Sequence, residues 1–177
     1  PAGAGWAPEI KFDGYRMQLR TVGGKSTLLS RKGLDWSSKF PEIVAAGTGF
    51  GDGIIDGEVV ALDHTGAPDF SALQAAISEA KTKNLVFFVF DQMFDGKEDL
   101  RGLPLSERKV RLEAYVEDAP ANVRYVDHFI TAGDAVLLSA CRLDLEGIVS
   151  QRLDANVARA TRWSSAAGRQ QARTSAR

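Results

Sequence analysis

The sequence predicts an α+β fold with mainly antiparallel sheets. Short runs alternate apolar and polar residues, Asp-Gly and Gly-Gly turns punctuate them, and helical patterns fall between without a regular βαβ rhythm. From Glu9 to Val22, Ile10 and Phe12, then Met17 and Leu19, alternate against Lys11, Asp13, Arg16, Gln18 and Arg20 around Asp13-Gly14. This predicts two strands joined by a tight turn. Gly23-Gly24 marks the next turn, and Ser26 to Ser30 predicts another strand. Residues 52–62 alternate so that Asp56, Glu58 and Val60 share a face, and residues 85–91 form a further extended run with Phe88 and Phe90 on one side. Helices are predicted over 70–80, over 105–116 after Pro104, and over 132–143 behind Thr131-x-x-Asp134. The last leads into Glu146-Gly147-Ile148-Val149-Ser150, a glycine followed by β-formers.

With 177 residues, 44% hydrophobic and 25% charged, the chain has the size and composition of one globular domain. No apolar run approaches the roughly 20 residues of a membrane span, and no secretion signal is visible, which predicts no membrane association and a cytoplasmic location. Cys141 is the single cysteine, so an intrachain disulfide and paired-cysteine zinc sites are excluded. Its apolar surroundings predict a small buried residue, while His64 and His128 are expected at the surface or in loops.

The net charge of −1 hides an asymmetry. Residues 155–177 hold five arginines and no acid, leaving −6 for residues 1–154. So acidic a body does not hold nucleic acid by bulk charge. Periodicity also stops near Ala155, and this Ala/Arg-rich tail is expected to be unpacked.

The chemistry concentrates in Glu9-Ile10-Lys11-Phe12-Asp13-Gly14-Tyr15-Arg16. A lysine attacks phosphorus only as the free amine, so a nucleophilic lysine needs a desolvated or cation-rich setting. Flanking Ile10 and Phe12 offer desolvation, and Arg16 beyond the turn can face phosphate or sugar. Spacing alone is equally compatible with a surface hairpin of solvated charges.

Lys11-x-Asp13-Gly14-x-Arg16 resembles the nucleophile motif of the covalent nucleotidyltransferases: DNA ligases, RNA ligases and mRNA capping enzymes. Further blocks follow in that family's order. Ser30-Arg31-Lys32-Gly33 resembles its second motif, Asp56-Gly57-Glu58 the third, Phe88-Val89-Phe90-Asp91 the aromatic strand, and Glu146-Gly147-Ile148-Val149-Ser150 the fourth. The connecting text, Gly33-Leu34-Asp35-Trp36, Lys39-Phe40-Pro41-Glu42-Ile43 and Pro68-Asp69-Phe70-Ser71-Ala72-Leu73-Gln74, is similar to ATP-dependent DNA ligases of the bacterial end-joining ligase D type. The resemblance covers residues 6–153.

It implies an ATP-grasp-like adenylation domain over residues 1–154, lacking the C-terminal oligonucleotide-binding fold and followed by the atypical tail 155–177. Lys11 would take AMP from ATP and pass it to a DNA 5′-phosphate for nick or end sealing in repair. Glu9 matches a position that helps recognise adenine. Arg16 and Arg31 match contacts to sugar and phosphates, Phe90 a ring that stacks on adenine with Phe88 as the second candidate on the same face, Glu58 a ribose or metal contact, and Glu146 a carboxylate of the Mg²⁺ site. Nicked or broken duplex DNA is the implied partner, with Ku-like or polymerase partners in the parent system.

Two departures favour a competing reading, a catalytically impaired remnant that binds nucleotide or a partner without sealing DNA. Ligases of this type carry a lysine five residues after the fourth-motif glutamate, where this chain has Gln151. The fifth motif normally places two lysines after a tryptophan, and here Trp163 is followed by Ser165 and Ala167. A capping-type guanylyltransferase is a third reading, separable by testing GTP beside ATP.

Overall fold

A computed structural model of the chain describes residues 5–127 and 148–157. The helix expected over 132–143, with Cys141, His128 and Glu146, lies outside the described residues. So does the tail from residue 158, with Trp163, Ser165 and Ala167.

The first strand, β1 (Trp6–Ile10), is followed by β2 (Tyr15–Val22) and β3 (Lys25–Ser30). The β2–β3 hairpin turns at Gly23 and Gly24, both with positive φ, a region that costs glycine nothing sterically. Pro41 opens helix α1 (Pro41–Gly47), its fixed φ suiting the first turn. Next come β4 (Gly53–Val60) and helix α2 (Phe70–Ser78), where the Asp69 side chain accepts from the Ala72 amide at 2.8 Å as an N-cap. Then follow β5 (Val86–Asp95), the short β6 (Glu98–Asp99), helix α3 (Leu105–Tyr115), β7 (Val123–Tyr125) and β8 (Ile148–Arg152).

The strands form two sheets. A six-stranded sheet runs β3-β2-β4-β5-β6, with β7 pairing parallel to β5, and a separate two-stranded sheet pairs β1 with β8. All other pairings are antiparallel, as the sequence predicts. The α+β class stands.

The expected β1–β2 hairpin does not form. β1 lies against β8, with Glu9 opposite Val149 and Ile10 opposite Ile148, while β2 pairs with β3 and β4. Asp13-Gly14 still gives the sharp bend, but the bend carries the chain from one sheet to the other. Apolar alternation states which face a residue occupies and is silent on which strand lies alongside.

One face of the large sheet builds the core. Met17, Leu19, Leu28, Ile55, Val59, Phe87 and Val89 pack there with Ile43 of α1, Leu73 of α2 and Leu112 of α3. The period of two sends Arg16, Glu58, Phe88 and Phe90 to the other face. Packing extends a little past residue 154, since the Ala155 carbonyl accepts from the Leu105 amide and the Val157 amide donates to the Arg101 carbonyl. His64 is exposed, as expected. No helix among the described residues is long and apolar enough to cross a membrane.

Candidate active site

Strand register sets out the site. Arg16 on β2 lies opposite Glu58 on β4, Glu58 lies opposite Phe88 on β5, and Phe88 lies opposite Arg124 on β7. A register shift follows, with Gly57 facing Val89 and Asp56 facing Asp91, so Phe90 occupies the irregularity between them. Bulges of this kind re-aim side chains at functional edges. Arg31 follows Ser30, which pairs with Met17, and so stands level with Arg16 at the outer side of β2.

Lys11 lies in the crossover between the two sheets, partly buried. The crossover is pinned over β4 and β5. Phe12 stacks on Phe88 with centroids 4.1 Å apart and planes at 15°. Gly14 fits so closely that a Cβ there would meet the Val59 carbonyl oxygen and lie 3.0 Å from Glu58 Cγ. Only glycine permits this approach, which brings the segment carrying Lys11 beside Glu58 and Phe88.

Arg16 is oriented by Asp56. Its Nη2 is 2.5 Å from Asp56 Oδ2, and its Nε lies 3.2 and 3.3 Å from the two carboxylate oxygens. The guanidinium also lies 5.2 Å from the Phe90 ring centroid. Asp56 is wholly buried, which pushes its carboxyl upward against Arg16's opposing pull. For Arg16, burial is the largest single influence and disfavours the cation, but the charge and hydrogen bonds of Asp56 together with the Glu58 and Asp91 charges outweigh it, and the net direction is upward.

Glu9 is turned inward. Only 4% exposed, it places Oε1 2.6 Å from Lys109 Nζ and accepts from Gln151 Nε2 through Oε2 at 3.1 Å. Burial pushes its carboxyl above the usual carboxylate range, while Lys109 and Gln151 pull the other way. The expected adenine-recognition residue therefore has its carboxylate engaged within the protein. Lys109 also donates to the Phe90 carbonyl at 3.2 Å and to the Val126 carbonyl at 3.3 Å. Beside it, Arg108 forms a buried two-point pair with Asp91, at 2.8 and 3.0 Å, and donates to the carbonyls of Leu103 and Ala155.

Neither Arg108 nor Lys109 falls in one of the family motifs, yet α3 carries a signal for both. Leu105, Arg108, Lys109 and Leu112 occupy i, i+3, i+4 and i+7, so two cations sit on the helix's buried stripe. Buried charges are retained where partners compensate them.

The expected metal residues divide. Glu58 lies on the site face and Glu146 outside the described residues. Among the described residues no group of three or more His, Cys, Asp or Glu side chains is placed to hold a metal. A partly exposed carboxylate beside the arginine row nevertheless suits Mg²⁺, which takes few protein oxygens and completes its shell with water and substrate phosphate.

The ATP dependent DNA ligase domain family matches residues 2–165. The chain belongs to this family. The ligase domain is 40% identical over 151 residues to the multifunctional non-homologous end joining protein LigD of Pseudomonas aeruginosa, covering 84% of this chain and 18% of that protein. Its structure resembles the crystal structure of the ligase domain from M. tuberculosis LigD, with a TM-score of 0.74 and 26% identity, over 85% of this chain and 50% of the other. The mycobacterial DNA ligase D complexed with ATP and MES gives the same TM-score and identity, covering 85% and 49%. The chain thus spans about half of the solved ligase domains it matches.

Proposed function

We propose that this ligase domain joins AMP covalently to Lys11 at the expense of ATP and passes it to a DNA 5′-phosphate, as the first steps of nick or end sealing in DNA repair. The observation that carries the reading is the placement of Lys11. It lies in a crossover fixed by Phe12 on Phe88 and by Gly14 on β4, beside the sheet face where Arg16, Glu58 and Phe88 lie in one row and Phe90 follows at the bulge.

In the first step the neutral Nζ of Lys11 forms a bond to the α-phosphorus, the bond to the bridging oxygen breaks, and pyrophosphate leaves. The amine proton is released to water. Arg16 and Arg31 would face the phosphates and sugar, and the Phe90 ring would stack on adenine. Glu58 would hold Mg²⁺ with Glu146, and the ion would neutralise charge on the phosphate oxygens. AMP then moves to the DNA 5′-phosphate, and a 3′-hydroxyl displaces it. Family membership and the ATP complex of the mycobacterial relative support this reading. DNA is the proposed partner, with Ku-like or polymerase partners in a parent end-joining system and a cytoplasmic setting.

A second reading, an impaired domain that binds nucleotide without sealing DNA, is favoured by Gln151. Its neutral amide donates to Glu9 where related ligases carry a lysine. Intact-protein mass spectrometry after incubation with ATP and Mg²⁺ separates the two. The enzyme gains one AMP and Lys11→Ala gains none, whereas the impaired domain stays unlabelled while still binding ATP. GTP in parallel tests the capping-type alternative.

A further inference from the structure

Lys109 is fully buried in α3, and its Nζ meets acceptors from three separate segments. These are Glu9 Oε1 on β1 at 2.6 Å, the Phe90 carbonyl on β5 at 3.2 Å and the Val126 carbonyl after β7 at 3.3 Å. The Tyr125 ring lies 5.4 Å away. Two of those acceptors belong to residues assigned to the nucleotide. Glu9 stands two positions before Lys11, and Phe90 occupies the irregular position of β5 under Arg16. The two lie on different sheets that share no paired strand. Side-chain bonding through Lys109 therefore links them directly, and Gln151 extends the link to β8.

We propose that Lys109 is a positioning residue for base recognition, setting the spacing between the β1 segment that precedes the nucleophile and the aromatic strand β5. The inference rests on the reading of Glu9 and Phe90 as nucleotide-pocket residues. Lys109 touches no substrate; it acts through those two. A charge at this depth has no solvent to replace lost partners, so its ion pair with Glu9 and its two hydrogen bonds to the Phe90 and Val126 carbonyls fix the gap more rigidly than an apolar contact would. Misplacement of reacting groups by about 1 Å can cost about a hundredfold.

The test compares the full chain with Lys109→Met, which keeps length and removes the charge. Calorimetric titration with ATP and with GTP, both with Mg²⁺, gives affinity and base preference, and single-turnover labelling of Lys11 gives the rate at saturation. The expected result is an ATP affinity lower by about tenfold or more, a compressed ATP-over-GTP ratio, and a smaller change in the saturated rate. A purely structural role would lower the melting temperature and leave the ratio unmoved. Should Lys109→Met fail to fold, Lys109→Gln, which keeps an amide donor for the two carbonyls, is read by the same ratio. An unchanged ratio in the folded variant overturns the inference while labelling of the unmodified chain upholds the proposed function. An unmodified chain that neither binds nor is labelled by ATP overturns both.

Discussion

Arg16 and Asp56 form a two-point ion pair between β2 and β4, and the same guanidinium lies over the Phe90 ring. One arginine is thereby fixed by a buried carboxylate on one side and directed toward the proposed base platform on the other. Asp56 acts on the site through Arg16.

Asp56→Asn should therefore weaken both the fold and the site. Removing one partner of a buried pair costs about 3–5 kcal/mol, but Arg16 is about a third exposed and can recover hydration, so the expected stability loss is about 2–3 kcal/mol. Urea denaturation measures it. Lys11 labelling should fall by about tenfold or more in the remaining folded protein, because the guanidinium loses its orientation.

Gly14→Ala tests the crossover. The added methyl meets the Val59 carbonyl oxygen, which is backbone and cannot swing aside, so the loop itself must move. Overpacking of this kind costs about 1–3 kcal/mol. The displacement carries Lys11 with it, so the labelling rate should fall more than the stability loss accounts for. Thermal melting and single-turnover labelling on one preparation give both numbers.

Much of this arrangement is legible in the sequence. The alternation over residues 52–62 places Asp56 and Glu58 together, and β4 carries both on the face away from the core. The capped α2 and the β2–β3 hairpin fall where their local signals put them. What escapes is non-local. The partnership of β1 with β8 joins residues about 140 positions apart, and no local spacing encodes it. Helix α1 and strands β6 and β7 are too short to establish a period, and β7 is held by parallel pairing to β5. Lys109 escapes for a different reason. A lysine in a helix ordinarily faces water, and only its place on the Leu105–Leu112 stripe betrays its burial.

The two phenylalanines on the site face of β5 should separate. Phe88 is already stacked on Phe12, whereas Phe90 carries Arg16 over its ring. Phe90→Ala should lower ATP affinity by about tenfold, the equivalent of a base stack worth about 1–3 kcal/mol. Phe88→Ala should instead lower stability through loss of the Phe12 contact. Titration calorimetry and thermal melting on both variants check the assignment; weaker ATP binding in Phe88→Ala alone would transfer the stacking role to that residue.

The Glu9–Lys109 pair should make stability depend on pH once it is broken. Glu9 faces Lys109 from α3 and Gln151 from β8, with Asp91 on β5 and Tyr125 on β7 also nearby. Burial already raises the Glu9 carboxyl above its ordinary 4.5, and Lys109→Met removes the strongest opposing contribution. A carboxyl raised in the folded state favours folding at low pH, and that contribution is lost as pH rises through its folded value. The destabilisation by Lys109→Met should therefore be smallest below the ordinary value of 4.5 and grow as pH rises through the raised one. Urea unfolding of both proteins across the acidic to neutral range measures the difference, and a difference flat in pH would show that Glu9 does not depend on Lys109 for its charge.

Gln151 offers the sharpest test of whether this ligase domain is impaired. It stands on β8 opposite Ala7, partly buried, with its amide 3.1 Å from Glu9 Oε2. Gln151→Lys adds an ammonium on a longer stem at a position where solvent can reach the charge. Two lysines would then share Glu9, and their repulsion opposes the change. Lys109 already occupies Oε1, however, while the new ammonium has Oε2 and water, so screening should keep that cost small. A preorganised cation facing charge that builds on the α-phosphate is worth about 3 kcal/mol, which sets an upper bound near a hundredfold in rate. The expected outcome is a faster single-turnover labelling of Lys11, by about tenfold or more, with little change in melting temperature. Rapid-quench labelling with ATP and Mg²⁺ measures it. A rate equal to that of the unmodified chain would mean that Glu9 holds the new ammonium away from the phosphate.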